Sequence, residues 1–173
     1  MKTRAFALKL IDRKELLQSS SGGAFTAFSN EFLNVGAIAS PVYNYDTNQM
    51  EYILYNSLEE RNKARGSKYI QALPLDIFKK SVEWIKNNNG DLLFVGVGCH
   101  SEGFRKYVEL NGLRNRVIII DIICHGGPSP KIWKEYIERL GYISYLTFRD
   151  KRNGWHYPYS YVKTKKTEKS IKD

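Results

Sequence analysis

The chain has 173 residues, of which 42% are hydrophobic, so it is long enough for one domain with its own core and is not disordered by composition. No apolar run approaches the roughly 18 residues of a membrane-spanning helix. Charges interrupt every apolar stretch near the N-terminus, so we expect no signal peptide and a cytoplasmic protein. The net charge of +9 arises partly from local lysine and arginine clusters without any nucleic-acid-binding signature, so we expect no nucleic-acid partner.

The predicted elements alternate between strands and helices along the chain. After a charged lead-in over residues 1–17, for which we expect a short strand and a turn, the first helix extends to about residue 34. Further strands are predicted at 35–43, 51–55, 91–97, 117–123, 143–149 and 155–162, and further helices at 58–64, 74–86, 101–110 and 130–140. The order predicts an α/β fold with a mixed, mainly parallel sheet flanked by helices.

We expect a single α/β domain over residues 1–162. The last segment, 163–173, is rich in lysine and has no helix cap, which predicts a disordered tail or a truncation end. The runs at 91–97 and 117–123 are continuously apolar, which predicts strands buried on both faces. Ser129 as N-cap and Pro130 in the first turn predict where the helix at 130–140 begins. Its predicted apolar face consists of Ile132, Trp133, Tyr136, Ile137 and Leu140.

A loop of serine and glycine, residues 18–25, leads into the first helix. A helix N-terminus presents unpaired N–H groups and the positive end of its dipole, which suits a phosphate, and glycines allow close approach to the backbone. The same residue types also form an ordinary serine cap in a flexible turn, so both interpretations stay open. The residues concerned are Ser19, Ser20, Ser21, Gly22 and Gly23. Residues 65–71, which include Ser67 and Lys68, form either a second anion-binding loop or a surface turn.

The two cysteines, Cys99 and Cys124, each follow an apolar strand and each precede a histidine. The carboxyl ends of parallel strands share one edge of a sheet, where ligands bind in open α/β folds, so we expect both thiols at that edge. A structural disulfide is not expected in a cytoplasmic protein. Two cysteines alone cannot complete a four-ligand iron–sulfur or zinc site, so either further ligands come from elsewhere or the thiols are small core residues.

Five motifs in chain order resemble the coenzyme F420 hydrogenase/dehydrogenase beta-subunit family. They are QSSSGGAF, GSKYIQ, LLFVGVGCHSEGFR, DIICHGGPSP followed by WKEYI, and FRDKRNGW, and together they span a family-like core of roughly residues 18–155. The resemblance implies a flavin- and iron–sulfur-dependent oxidoreductase that transfers electrons to or from coenzyme F420 or another small-molecule acceptor. It also implies FAD or FMN, a 4Fe-4S cluster, and a redox partner subunit or ferredoxin-like protein.

The same resemblance assigns roles to the motif residues, although it identifies no catalytic residue. Residues 19–23 match the family's Ser/Gly loop and would hold the flavin phosphate or ribityl groups, while Ser67 and Lys68 match its SK motif. Cys99 and Cys124 match the family's GxPCQ and CHG cysteines, the candidate cluster ligands. Here GxPCQ reads GVGCH, and neither an upstream ferredoxin-like module nor a long C-terminal continuation is present, which predicts an incomplete cluster site or a truncated or degenerate copy.

A second interpretation belongs to another functional class. In it the Ser/Gly loop holds a phosphorylated metabolite or nucleotide sugar, the cysteines are core residues, and the protein serves surface polysaccharide biosynthesis without redox chemistry.

Overall fold

The computed structural model of the chain describes residues 3–152, 154, 159–164 and 168–172. The strands are β1 (Gly36–Asn44), β2 (Gln49–Tyr55), β3 (Ala72–Leu73), β4 (Asp91–Val97), β5 (Val117–Ile122), β6 (Ile143–Asp150), β7 (Tyr159–Thr164) and β8 (Glu168–Lys172). The helices are α1 (Arg13–Leu17), α2 (Ala24–Leu33), α3 (Leu58–Ala64), α4 (Ile77–Asn87), α5 (Gly98–Leu110) and α6 (Pro130–Leu140), and a 3₁₀ turn spans Arg114–Arg116.

The larger sheet has five strands in the order β3-β2-β1-β4-β5. The β1–β2 hairpin is antiparallel, whereas β2–β3, β1–β4 and β4–β5 are parallel. A mixed, mainly parallel sheet flanked by helices is therefore confirmed. The smaller sheet, β6-β7-β8, is antiparallel throughout.

The interior strand β4 supplies the centre of the main core. Leu92, Leu93 and Phe94 are fully buried, because helices cover both faces of the sheet at this strand. Phe94 packs with Phe104 of α5 and with residues of α4 on one face, while Leu93 packs with residues of α2 and α3 on the other. The prediction that this run is a strand buried on both faces is confirmed.

The prediction of a second strand buried on both faces is wrong for β5. This strand forms an edge of the sheet, and its residues Ile118 and Ile122 are 55% and 47% exposed. A run of isoleucines indicates an extended segment, but the number of covered faces depends on the next helix. That helix, α6, leaves β5 uncovered and packs instead with Met50 of β2 and with the smaller sheet.

A second core joins α6 to the smaller sheet. Trp133 and Ile137 of α6 pack with Ile143 and Phe148 of β6. The helix begins as predicted, with Pro130 in its first turn and the Ser129 hydroxyl accepting a hydrogen bond from the backbone N–H of Ile132. The side chain of Ile132 itself is 62% exposed, contrary to the prediction, because the helix turns the face containing Trp133 and Ile137 toward the core.

Both ends of the described chain differ from the expectation. The lead-in has no strand among its described residues and instead forms α1, which Asp12 caps by accepting hydrogen bonds from two backbone N–H groups. The segment 163–173, expected to be a disordered tail or a truncation end, contains the end of β7 and the whole of β8, and these two strands pair with each other. Residues 155–158 of the predicted strand 155–162 lie outside the described residues. None of the described helices is long and apolar enough to cross a membrane.

Candidate functional site

The two cysteines line one cleft at the carboxyl ends of β4 and β5. The strands are paired so that Val97 lies opposite Ile122. Cys99 follows in the first turn of α5, and Cys124 follows β5 in an exposed loop. Both thiols are free and exposed, and both line a cleft of about 450 Å³ that also includes Asp121.

This cleft supplies thiol ligands, but not a complete metal site. Within the described ranges, no group of three or more histidine, cysteine, aspartate or glutamate side chains is placed to hold a metal ion. The backbone N–H of Gly126 donates a hydrogen bond to the Cys124 sulfur over 3.3 Å. The two thiols supply at most two of the four ligands that an iron–sulfur cluster needs, so the remaining ligands would have to come from outside this group.

A tyrosine–histidine pair lies beside Cys99, and the sequence had not indicated it. The Tyr52 hydroxyl on β2 and Nδ1 of His100 on α5 are 3.0 Å apart and hydrogen-bonded. Burial lowers the pKa of His100, while burial and then the charge of Cys99 raise the pKa of Tyr52. The absence of a side chain at Gly96 makes room for this pair, because a Cβ there would lie 2.5 Å from the Tyr52 hydroxyl oxygen.

The chain's own N-terminal segment covers the Ser/Gly loop. The N–H of Leu10 donates to the carbonyl of Gly22 over 2.8 Å, and a Cβ on Gly22 would lie 2.0 Å from the carbonyl oxygen of Leu8. Gly23 has a φ of +88° and caps α2 without any side-chain hydrogen bond. Residues 8–10 therefore occupy the space beside these two glycines in which a ligand could approach the backbone.

The serines of the loop differ in their surroundings. Ser19 is buried; its hydroxyl donates to the carbonyl of Glu15 over 3.0 Å and is hydrogen-bonded to the Thr26 hydroxyl at 3.1 Å. Ser20 is half-buried and Ser21 is exposed. Ser19 thus ties the loop to α1 and α2, and Ser21 is the serine accessible to a ligand.

Lys68 lies at the C-terminal end of α3. Its amine donates to the backbone carbonyls of Ala64, Arg65 and Gly66 at 2.5, 2.8 and 3.2 Å, which satisfies carbonyls that the helix end leaves unpaired. Burial lowers the pKa of Lys68 to about 7. Ser67 is half-buried beside it.

Several motif loops contact one another. The Arg65 Nη1 donates to the side-chain oxygen of Gln18 over 2.5 Å, which joins the Ser/Gly loop to the end of α3. A Cβ on Gly127 would lie 3.2 Å from the carbonyl oxygen of Tyr69, so the loop after Cys124 lies beside the loop that contains Lys68. The cysteine cleft is lined by residues 97–99 and 121–124, and the structure does not bring the serines or Lys68 into it.

Comparison with known proteins gives a family and a fold. Residues 90–172 match the family described as the C terminus of the coenzyme F420 hydrogenase/dehydrogenase beta subunit. The structure is similar to a chain of the F420-reducing NiFe hydrogenase complex from Methanosarcina barkeri, solved after xenon derivatization, with a TM-score of 0.64 and 16% sequence identity. The similarity covers 95% of this chain and 58% of that chain, so this chain spans little more than half of the other's length, and at this identity the likeness shows a shared fold. No curated protein matches the sequence.

Proposed function

We propose that the chain belongs to the coenzyme F420 hydrogenase/dehydrogenase beta-subunit family, whose C-terminal part matches residues 90–172, and that it is an electron-transfer oxidoreductase subunit. Its electrons pass to or from coenzyme F420 or another small-molecule acceptor by way of a flavin and an iron–sulfur cluster. The observation that supports this function best is the placement of Cys99 and Cys124 in one cleft at the carboxyl edge of the sheet.

Cys99 and Cys124 would hold the iron of the cluster. A bound cluster supplies one-electron transfer, and the chain contributes two thiolates, the N–H donor of Gly126 and the half-buried His100 beside them. Hydrogen bonds to cluster sulfurs and the burial of the site set its reduction potential. The missing ligands would come from residues outside the described part or from a partner subunit.

A flavin, FAD or FMN, would place its phosphate at the loops that contain residues 19–23 and 67–68. Ser21 and the N-terminus of α2, which no side chain caps, support this assignment, since the N–H groups of a helix N-terminus suit an anion. Residues 8–10 now cover Gly22 and Gly23, so a phosphate at the glycines requires that this segment move. The similar chain comes from a hydrogenase complex, which supports a redox partner subunit for this chain.

The test is cofactor reconstitution of the anaerobically purified chain with iron, sulfide and FAD or FMN, followed by ultraviolet–visible spectra and iron and sulfide analysis. We expect flavin bands and a broad iron–sulfur shoulder. Cys99→Ser and Cys124→Ser should each lose bound iron, whereas Asp121→Asn, an exposed change in the same cleft, should retain it. A wild-type chain that takes up neither iron nor flavin, or cysteine variants that bind iron as wild type does, would reject the proposal.

A second candidate is non-redox binding of a phosphorylated metabolite or nucleotide sugar, as in surface polysaccharide biosynthesis. The excess of positive charge at Arg61 and Arg65, beside the Ser/Gly loop, favours a phosphorylated ligand. In this case Cys99→Ala and Cys124→Ala would leave binding of the nucleotide sugar unchanged. A large loss of binding in either variant would count against it.

A further inference from the structure

Two buried arginines at the end of α3 face a single carboxylate. The side chain of Arg61 is 2% exposed and that of Arg65 is 5% exposed, and both approach Glu15 of α1, which is 33% exposed. Charged side chains at this depth are almost always paired one to one. Two guanidinium groups against one carboxylate leave one positive charge uncompensated among these contacts.

The hydrogen bonds of this cluster are also incomplete. Arg65 donates to the Glu15 carboxylate and, through Nη1, to Gln18. Arg61 Nη1 is 3.7 Å from the Glu15 oxygen, too far for a hydrogen bond. In the described part of the chain, Arg61 Nε and Nη1 and Arg65 Nε are buried without an acceptor. Burial and then the charge of Arg65 lower the pKa of Arg61, as expected where the positive charge exceeds the negative.

The cluster lies next to the loops already described. The first residue of the Ser/Gly loop, Gln18, accepts a hydrogen bond from the Arg65 side chain. The backbone carbonyl of Arg65 in turn accepts a hydrogen bond from the Lys68 amine. The arginine cluster therefore adjoins both loops at which a phosphorylated ligand is proposed to bind.

We propose that Arg61 and Arg65 form a binding site for the phosphate group of a ligand, and that the Glu15 carboxylate occupies this site until the ligand displaces it. A guanidinium group binds phosphate through two parallel N–H donors. A phosphate offers three or more acceptor oxygens, so it can reach the donors that one carboxylate leaves unpaired. The inference rests on the proposed function only in taking the ligand of these loops to be phosphorylated.

The segment that contains Glu15 is placed to be displaced. The helix α1 has five residues and none of them is buried. The preceding segment exposes Phe6 by 85% and Ile11 completely, so releasing it uncovers little apolar surface. Residues 8–10 of the same segment cover Gly22 and Gly23, so its release would open both the arginine site and the glycines.

The test is isothermal titration of the full chain with inorganic pyrophosphate at low salt. We expect wild type to bind, and Glu15→Gln to bind about tenfold more tightly, because the variant removes a competitor for the site. Arg65→Gln should weaken binding by at least about tenfold, through the loss of a charge-assisted donor pair. Glu59→Gln and Lys63→Gln, which change an exposed ion pair on α3, should stay within about twofold of wild type.

Two further series keep the outcome decisive. Arg65→Lys retains the positive charge but lacks the planar pair of N–H donors, so it should also bind pyrophosphate more weakly. This variant replaces Arg65→Gln in the test if circular dichroism shows that Arg65→Gln does not fold. Titration with FAD and with UDP-glucose distinguishes a flavin from a nucleotide sugar as the source of the phosphate. The proposal is overturned if Glu15→Gln binds pyrophosphate no more tightly than wild type, or if folded Arg65 variants bind it as well as Lys63→Gln does. Pyrophosphate binding needs no iron, thiol or flavin, so a failure of the redox function alone would leave these titrations unchanged.

Discussion

Substitution of Gly96 by alanine tests whether the tyrosine–histidine pair depends on an empty space at the end of β4. The new Cβ would lie 2.5 Å from the Tyr52 hydroxyl oxygen and 2.9 Å from Cε1 of Phe94. Phe94 is fully buried and stacks on Tyr52 with ring centroids 5.4 Å apart, so it cannot move aside. We expect Tyr52 to be pushed away from His100.

The expected cost combines two effects. Overpacking a filled core costs about 1–3 kcal/mol, and losing a part-buried hydrogen bond such as that between Tyr52 and His100 costs about 0.5–1.5 kcal/mol. Together these effects should lower the free energy of unfolding by about 1.5–4.5 kcal/mol. For a chain of this size, this is a decrease in Tm of roughly 3–18 °C.

Urea unfolding followed by far-ultraviolet circular dichroism measures this change. The matched control is Gly98→Ala, two residues later in the first turn of α5, where a Cβ would meet nothing within 4 Å. Alanine is favoured over glycine in a helix by up to about 1 kcal/mol, so the control should be neutral or more stable. If Gly96→Ala unfolds within about 0.5 kcal/mol of wild type, a variation ordinary for surface substitutions, Tyr52 does not pack against Gly96 as described.

Three further predictions concern single side chains. Burial lowers the pKa of His100 from its ordinary 6.5, so the contribution of the neutral imidazole to stability is complete above pH 6.5 and is lost as the pH falls toward the pKa of the folded state. His100→Gln should flatten this part of the curve of unfolding free energy against pH. An unchanged curve would argue against burial of the imidazole. Lys68→Met removes three hydrogen bonds to backbone carbonyls and should lower the free energy of urea unfolding by about 1–3 kcal/mol. An unchanged urea midpoint would mean that the amine does not cap α3. Ser129→Ala removes the N-cap of α6 and should cost about 1 kcal/mol in the same assay, whereas a change below about 0.3 kcal/mol would show that the cap contributes little.

The strongest sequence patterns predicted their elements correctly. The run at 91–97 is a strand buried on both faces, because each of its apolar side chains has a helix or strand to cover it. The placement of Cys99 and Cys124 at one edge followed from strand direction alone, since parallel strands end on the same side of a sheet. The Ser129–Pro130 helix start followed from the local preferences of those two residues.

Local patterns failed where a partner distant in sequence decided the outcome. The isoleucines of β5 resemble those of an interior strand, yet the strand order leaves Ile118 exposed at an edge. The lysine-rich segment contains β8 because β7 supplies hydrogen-bonding partners to its backbone, and side-chain charge does not prevent that pairing.

The α/β class and the common edge of the two cysteines were predictable without coordinates, because they depend on short-range periodicity and chain direction, and the family resemblance came from five short motifs. Three contacts were not predictable in this way: Tyr52 meets His100, residues 8–10 cover the glycines, and Glu15 approaches both Arg61 and Arg65. Each of these contacts joins residues from different elements. Its geometry follows from how the elements pack against one another, which no local pattern of residues encodes.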